Sequence, residues 1–210
     1  MRITITAQAR ELGLRHVRGW RIEGARPLLD GPALTAEEAA ELATPYGEAS
    51  GYAELLSRLG HPEQTPAGER SRKLVAERGW RSYGPAIDAV NVATLRHGGG
   101  VGLHRIPGED AEIVVGRGTG QERIVPAFTT KSKPIPAGDL IYGPAGSPMA
   151  WLGKRDTDSA DYQIQADTVA GVVIALGHPG DDPAHTAAIG DTVREVLALL
   201  RPDVELRELG

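Results

Sequence analysis

The chain has 210 residues, 40% of them hydrophobic and 24% charged, with a formal net charge of -5. That suffices to fill the core of one domain, expected over 1–210, and excludes collagen, coiled coil and wholesale disorder. The absence of cysteine excludes thiol nucleophiles, cysteine-ligated zinc, iron-sulfur clusters and disulfide frameworks. Charge is uneven: residues 1–105 carry 14 Lys/Arg against 12 Asp/Glu, and 106–210 carry 9 against 16. Such a balance argues against duplex DNA as a partner, because non-specific duplex binders need a strongly basic footprint.

In chain order, the alternation over 1–6 predicts a strand, 7–14 a short helix, and 17–22 a second strand ended by Gly24. Thr35 followed by Glu38 is a capping-box pattern, so a helix is expected over 36–42, stopped by Pro45. Helices are expected over 51–59, with Leu55, Leu56 and Leu59 on one face, and over 68–80. The latter carries most of the basic cluster Arg70, Arg72, Lys73, Arg78 and Arg81, which reads as a solvated helix face or a phosphate contact. The segment 86–95 fits a buried helix. Beyond Gly98 the texture changes to short apolar runs cut by Gly and Pro, giving strands at 111–115, 123–126, 139–142 and 169–176. A terminal amphipathic helix is expected over 183–200, with Asp182 as N-cap and Pro202 as stop. The longest apolar run, 172–176, is far short of the roughly 20 residues that span a bilayer. The opening stretch lacks an apolar core of signal-peptide length, so the expected location is the cytoplasm, with no membrane partner.

Several motifs fail on inspection. His97-Gly98-Gly99-Gly100 has the letters of an esterase oxyanion loop, but Ser147 is flanked by Ala145 and Met149 where a nucleophile elbow needs glycines. Leu103 stands where a dinucleotide fingerprint needs its third Gly, and no P-loop follows. His178 and His185 with Asp181 and Asp182 lie in a Pro/Gly loop entering a helix, better suited to capping than to metal binding. No metal and no cofactor are expected.

Two blocks carry a resemblance. Ile87-Asp88-Ala89-Val90-Asn91-Val92-Ala93-Thr94-Leu95 and then Gly100-Val101-Gly102-Leu103-His104-Arg105-Ile106 resemble the Val-Asp-x-x-Asn-x-x-Ser-Leu run and following turn of the B3/B4 editing domain of the phenylalanyl-tRNA synthetase beta subunit. Trp151-Leu152-Gly153-Lys154-Arg155-Asp156-Thr157-Asp158-Ser159, followed by Thr168, is similar to the Trp-x-x-Arg-Asp-Ser-Asp stretch of its free-standing relatives. The N-terminal 80 residues follow the order of elements in those relatives, ahead of a core motif region from about 81 to 210. The resemblance implies an α+β fold with mixed sheets flanked by helices, and hydrolysis, in trans, of an amino acid wrongly esterified to tRNA. The implied partner is the aminoacyl-adenosine end of a mischarged tRNA.

Such an ester is already activated, so a site need only orient a water, hold the carbonyl and exclude the correct amino acid. Within the resemblance, His104 and Asp156 are the candidate catalytic residues, and Asn91, Gly102, Trp151, Arg155, Asp158 and Thr168 the candidate substrate-binding ones. His104 would position water or the terminal adenosine; Asn91 would contact substrate or hold a turn. Arg155 offers a fork for phosphate or carboxylate, or pairs with an aspartate in its own loop. Asp156 or Asp158 would take the substrate ammonium group; Thr168 would line the amino-acid pocket or start a strand, and Trp151 would stack on adenine or fill the core. The synthetase turn Pro-Leu-His-Ala-Phe-Asp, laid on this chain, puts its Pro on Gly100, its His on Gly102 and its Asp on Arg105, so either His104 substitutes for the family histidine or the water is held otherwise. The alternative expectation is a non-catalytic module that binds an amino acid or RNA end in the same pocket.

Overall fold

The computed structural model describes residues 1–44 and 50–210; Pro45, expected to stop the second helix, lies outside them. The elements run β1 (Arg2–Ile5), α1 (Ala7–Glu11), β2 (Val17–Glu23), α2 (Ala36–Leu42), α3 (Ser50–Arg58), α4 (Ala67–Arg78) and α5 (Pro85–His97). Then follow β3 (Val101–Arg105), β4 (Glu112–Arg117), β5 (Arg123–Ile124), β6 (Lys133–Pro134), β7 (Leu140–Gly143), β8 (Ala150–Leu152), β9 (Asp156–Asp158), β10 (Ala170–Leu176), α6 (Pro183–Leu200) and β11 (Glu205–Glu208). The fold is α+β. One sheet has the order β1-β4-β7-β8-β9, a second β11-β2-β10-β3, and β5-β6 form a separate ribbon. All pairings are antiparallel except β1 with β4.

Local chemistry sets the helix ends. In α2 the Glu38 N–H donates to Thr35 Oγ1 at 3.2 Å and the Thr35 N–H to Glu38 Oε2 at 2.8 Å, the reciprocal capping box. In α6, Asp182 Oδ1 accepts from the N–H groups of Ala184 and His185. α5 begins at Pro85 in the first turn and is held by the fully buried Asp88, which accepts from Ser82 Oγ and Tyr83 N–H and thereby fixes the loop before the helix. α1 stops at Glu11, three residues short of the predicted end, where Gly13 takes φ +89°.

β10 explains the layering. Its run of apolar residues does not alternate with polar ones because both faces are covered. Val173 and Ala175 join Trp20 and Ile22 of β2 and the inner faces of α2, α5 and α6 in one core. Val172, Ile174 and Leu176 point the other way, into a second core shared with α1, α3 and the five-stranded sheet. The four-stranded sheet is thus a middle layer between helices and a second sheet. Register then decides which side each residue of β3 serves: Gly102 lies opposite Ile174 and His104 opposite Val172, so both face the inter-sheet layer, while Val101 and Leu103 pack toward the helices.

Candidate functional site

Between the two sheets, beneath α3 and the start of α4, lies a cleft that opens partly to solvent. Its floor follows from strand pairing. Tyr142 of β7 lies opposite Ala150 of β8, and Ala150 opposite Asp158 of β9, so the three form one row across the five-stranded sheet. The small Ala150 leaves space between a phenol and a carboxyl. One step along, Leu152 lies opposite Asp156, placing the two aspartates on the same side of β9. Across the layer, β3 presents Gly102 and His104 to Tyr142. The walls are apolar, with Tyr52, Leu56, Pro66 and Leu176 among them.

His104 is fully buried, and its Nε2 lies 2.7 Å from Tyr142 Oη. Its Nδ1 is buried without a partner among the described residues. A buried N–H with no acceptor is rarer and costlier than an under-used lone pair, so the arrangement assigns the proton to Nε2, which donates to Tyr142 Oη. The Tyr142 O–H is then left to donate into the cleft. Both groups are neutral: burial lowers His104 to about 3, and burial together with Asp158 and Asp156 raises the Tyr142 phenol well above its ordinary value. A side chain at Gly102 would run into Tyr142 Oη and would stand 2.6 Å from His104 Nε2, so glycine is what admits this pair. At Gly100, with φ +74°, a Cβ would strike the Tyr52 hydroxyl, which donates to Leu176 O at 2.8 Å and meets His185 Nε2 at 2.9 Å.

The two carboxylates differ. Asp156 is 2.6 Å from Arg70 of α4, which matches its charge. Asp158 has no such cation among the described residues. Its side chain is 44% exposed into the cleft, with His104 Nε2 3.9 Å away, and loss of water around it together with the neighbouring Asp156 raises it to about 7. Asp158, raised toward neutrality, and Asp156, paired with Arg70, are thus two neighbouring carboxyls in unlike surroundings.

Of the residues singled out from sequence, Gly102, Trp151, Asp156 and Asp158 line the cleft, and His104 stands directly behind it. Trp151 packs its indole with Ile124 and Ile135 and donates Nε1–H to Asp139 at 2.6 Å, so it is chiefly core. Asn91, half-buried on α5, Arg155, exposed in the β8–β9 turn, and Thr168, whose Oγ1 accepts from Gln165 N–H, do not line it. Tyr142 and Tyr52 were not singled out. A strand was legible at 139–142, but nothing local shows that its last tyrosine meets a histidine 38 positions earlier. His178 hydrogen-bonds the Pro179 carbonyl, and among the described residues no group of three or more His, Cys, Asp or Glu is placed to hold a metal ion. Nor is any helix among the described residues long and apolar enough to cross a membrane.

No family model matches the chain, and no curated protein matches it. Among solved structures, the fold is similar to that of an N-terminal fragment of the phenylalanyl-tRNA synthetase beta-subunit from Pyrococcus horikoshii, with a TM-score of 0.51 and 9% identity. The match covers 99% of this chain and 54% of that one, so the chain spans about half the length of the fragment. At that identity the likeness is one of fold. It gives the resemblance drawn from the two sequence blocks a counterpart in architecture.

Proposed function

We propose that the protein hydrolyses the ester of a mischarged aminoacyl-tRNA. The observation that carries this reading is the row Tyr142-Ala150-Asp158, with a phenol O–H and a carboxyl of about 7 on either side of a gap in an apolar cleft. The likeness of fold to the synthetase fragment supports the choice of substrate class.

In the proposed step, ionised Asp158 takes a proton from water as the water oxygen bonds to the ester carbonyl carbon. Tyr142 donates its O–H to the carbonyl oxygen as that oxygen gains charge, and His104 holds the phenol in place through its Nε2 proton. Collapse breaks the bond to the ribose oxygen, which leaves with the proton from Asp158, giving free amino acid and a tRNA ending in two ribose hydroxyls. Asp156, held by Arg70, faces the same space and offers its anion to the substrate ammonium group. Asp158 thus takes the catalytic role that the sequence suggested for Asp156, and His104 acts through Tyr142.

The test is release of labelled amino acid from a panel of correctly and incorrectly charged tRNAs. Selective release from one mischarged species is expected, with a rate that rises with pH and levels off above about 7 as Asp158 ionises. Asp158→Asn should slow it by about 10²–10⁴-fold. Release from no species, by folded protein, overturns the reading and leaves the cleft as a binding module.

A further inference from the structure

The β5–β6 ribbon ends in a tip whose surface chemistry differs from the rest of the molecule. Phe128, the only phenylalanine in the chain, sits there 95% exposed. It also adopts φ 61°, a region that bulky residues rarely enter. The tip is firmly tied: Ala127 N–H donates to Asp158 O at 2.8 Å, Ala160 N–H to Val125 O at 2.7 Å, and Thr129 gives both its N–H and its hydroxyl to Pro126 O. Ile124 and Ile135 anchor the base of the ribbon on Trp151. An aromatic ring is therefore held out in solvent by the strand that carries Asp158.

The ribbon that carries Phe128 is also rich in cations. Lys131 and Lys133 are exposed and form no ion pair among the described residues. Arg123 spends its guanidinium on Ser132, with Nε donating to Oγ at 3.0 Å. The adjacent acid, Glu122, turns away to accept from the N–H groups of Thr119 and Gly120. Lys154 and Arg155, in the turn leading into β9, are likewise exposed and unpaired among the described residues. In a chain of net charge -5, the stretch 123–133 thus carries three basic residues and no acidic one.

We propose that the Phe128 tip is the seat for the unpaired 3′ end of an RNA, with a base stacked on the ring and phosphates on Lys131 and Lys133. The inference rests on the reading of the cleft as an aminoacyl-ester site, since the tip and Asp158 are joined by a hydrogen bond. One aromatic face with flanking cations is how single strands are held without sequence readout. A duplex offers no free base face along its length. Neighbours Thr129, Thr130 and Ser132 are polar, so the tip has too little apolar surface to seat in a lipid layer.

The experiment uses a fluorescein-labelled RNA hairpin with four unpaired 3′ nucleotides and an unacylated end, beside the same hairpin made blunt, in anisotropy titrations with the full chain. Tighter binding of the overhang form is expected, weakened about tenfold or more by Phe128→Ala and retained by Phe128→Tyr. A Lys131→Ala/Lys133→Ala variant should flatten the dependence of log affinity on log salt by roughly 1–2. The substituted side chains are exposed, so melting temperatures should stay at the wild-type value. Equal affinity for the two RNAs, indifference to Phe128→Ala, or Phe128-dependent binding to phosphatidylserine vesicles with none to RNA would each overturn the proposal. Because the RNA is unacylated, the outcome separates from that of hydrolysis. Phe128-dependent binding by a protein that releases no amino acid sinks only the hydrolytic reading. Hydrolysis of small aminoacyl esters without overhang binding sinks only this one.

Discussion

The four-stranded sheet has two faces, and they are built on different terms. Toward the helices, β2 and β10 bury Trp20, Ile22, Val173 and Ala175 against α5 and α6, and the large polar group at that end of the molecule is fully served. Arg201 is completely buried there, yet it donates to the carbonyls of Pro27 and Asp30 at 2.7 and 2.6 Å and makes two bonds to Asp203. Toward the other sheet, the same β10 packs beside His104 with an orphaned Nδ1, a phenol kept neutral by burial, and a carboxyl pushed toward neutrality. One face maximises satisfied contacts; the other leaves polar capacity unspent, at His104 inside the layer and at Asp158 on the cleft. Unspent capacity of that kind lowers stability and is retained where chemistry uses it.

The contrast can be broken from either side. Arg201→Ala removes a buried side chain and leaves several carbonyls and the loop 26–30 without their donor, so it should cost roughly 3 kcal/mol in denaturant unfolding. Its effect on the catalytic rate of the folded fraction should be slight, because Arg201 is no part of the cleft lining. Equal loss of stability and rate would mean that the helical layer and the cleft are one cooperative unit. Tyr142→Phe should do the reverse. Losing a donor to the developing oxyanion should slow hydrolysis by about 10²–10³-fold with KM little changed. The cost in stability should be nearer ~1 kcal/mol, for one unpaired Nε2–H at His104. A rate unchanged by Tyr142→Phe would remove the phenol from the mechanism.

How much of this was legible in the sequence follows the same division. The helical layer announces itself through local chemistry: the Thr35/Glu38 box, the Asp182 cap and the periodicity of α6 are read within one or two turns of chain. The continuous apolar run of β10 reflects burial on both faces. The inter-sheet layer depends on register between strands far apart, which no local pattern records. β9 is the clearest case. Asp-Thr-Asp has poor strand propensity, and only pairing with β8 makes it a strand. Once it is one, alternation sends Asp156 and Asp158 to the cleft and Thr157 to the other face. The exposed Arg155 lies just ahead of the strand, in the turn. The block was therefore found as a motif, while the division of roles within it had to wait for the sheet. Asn91 shows the converse, since a motif position half-buried on α5 is not part of the cleft lining. β11 was missed for a third reason: it is a four-residue edge strand, and Glu-Leu-Arg-Glu is charged as edge strands are.

The smallest expected effect is also the one that most directly measures what the cleft gives up. Asp158 titrates near 7 in the folded protein and near the ordinary carboxylate value, about 3.9, when unfolded. Between those values the native state holds a proton that the unfolded state has released. Stability therefore falls as pH rises from about 4 to about 7, and is level above that. Asp158→Asn abolishes this slope, so the variant should be the more stable protein above pH 7 while being the poorer catalyst. With the carboxyl 44% exposed, water screens much of the penalty, and the gain should be on the order of 1 kcal/mol. His97 and His104, lowered by burial to about 4 and about 3, act in the opposite sense and cost stability as pH drops below their ordinary value near 6.5. They are common to both proteins, so the difference between the two urea-unfolding curves, taken from pH 5 to 8, isolates Asp158. A difference that does not grow with pH over that window would mean that Asp158 is an ordinary surface carboxylate, and the cleft would lose its base.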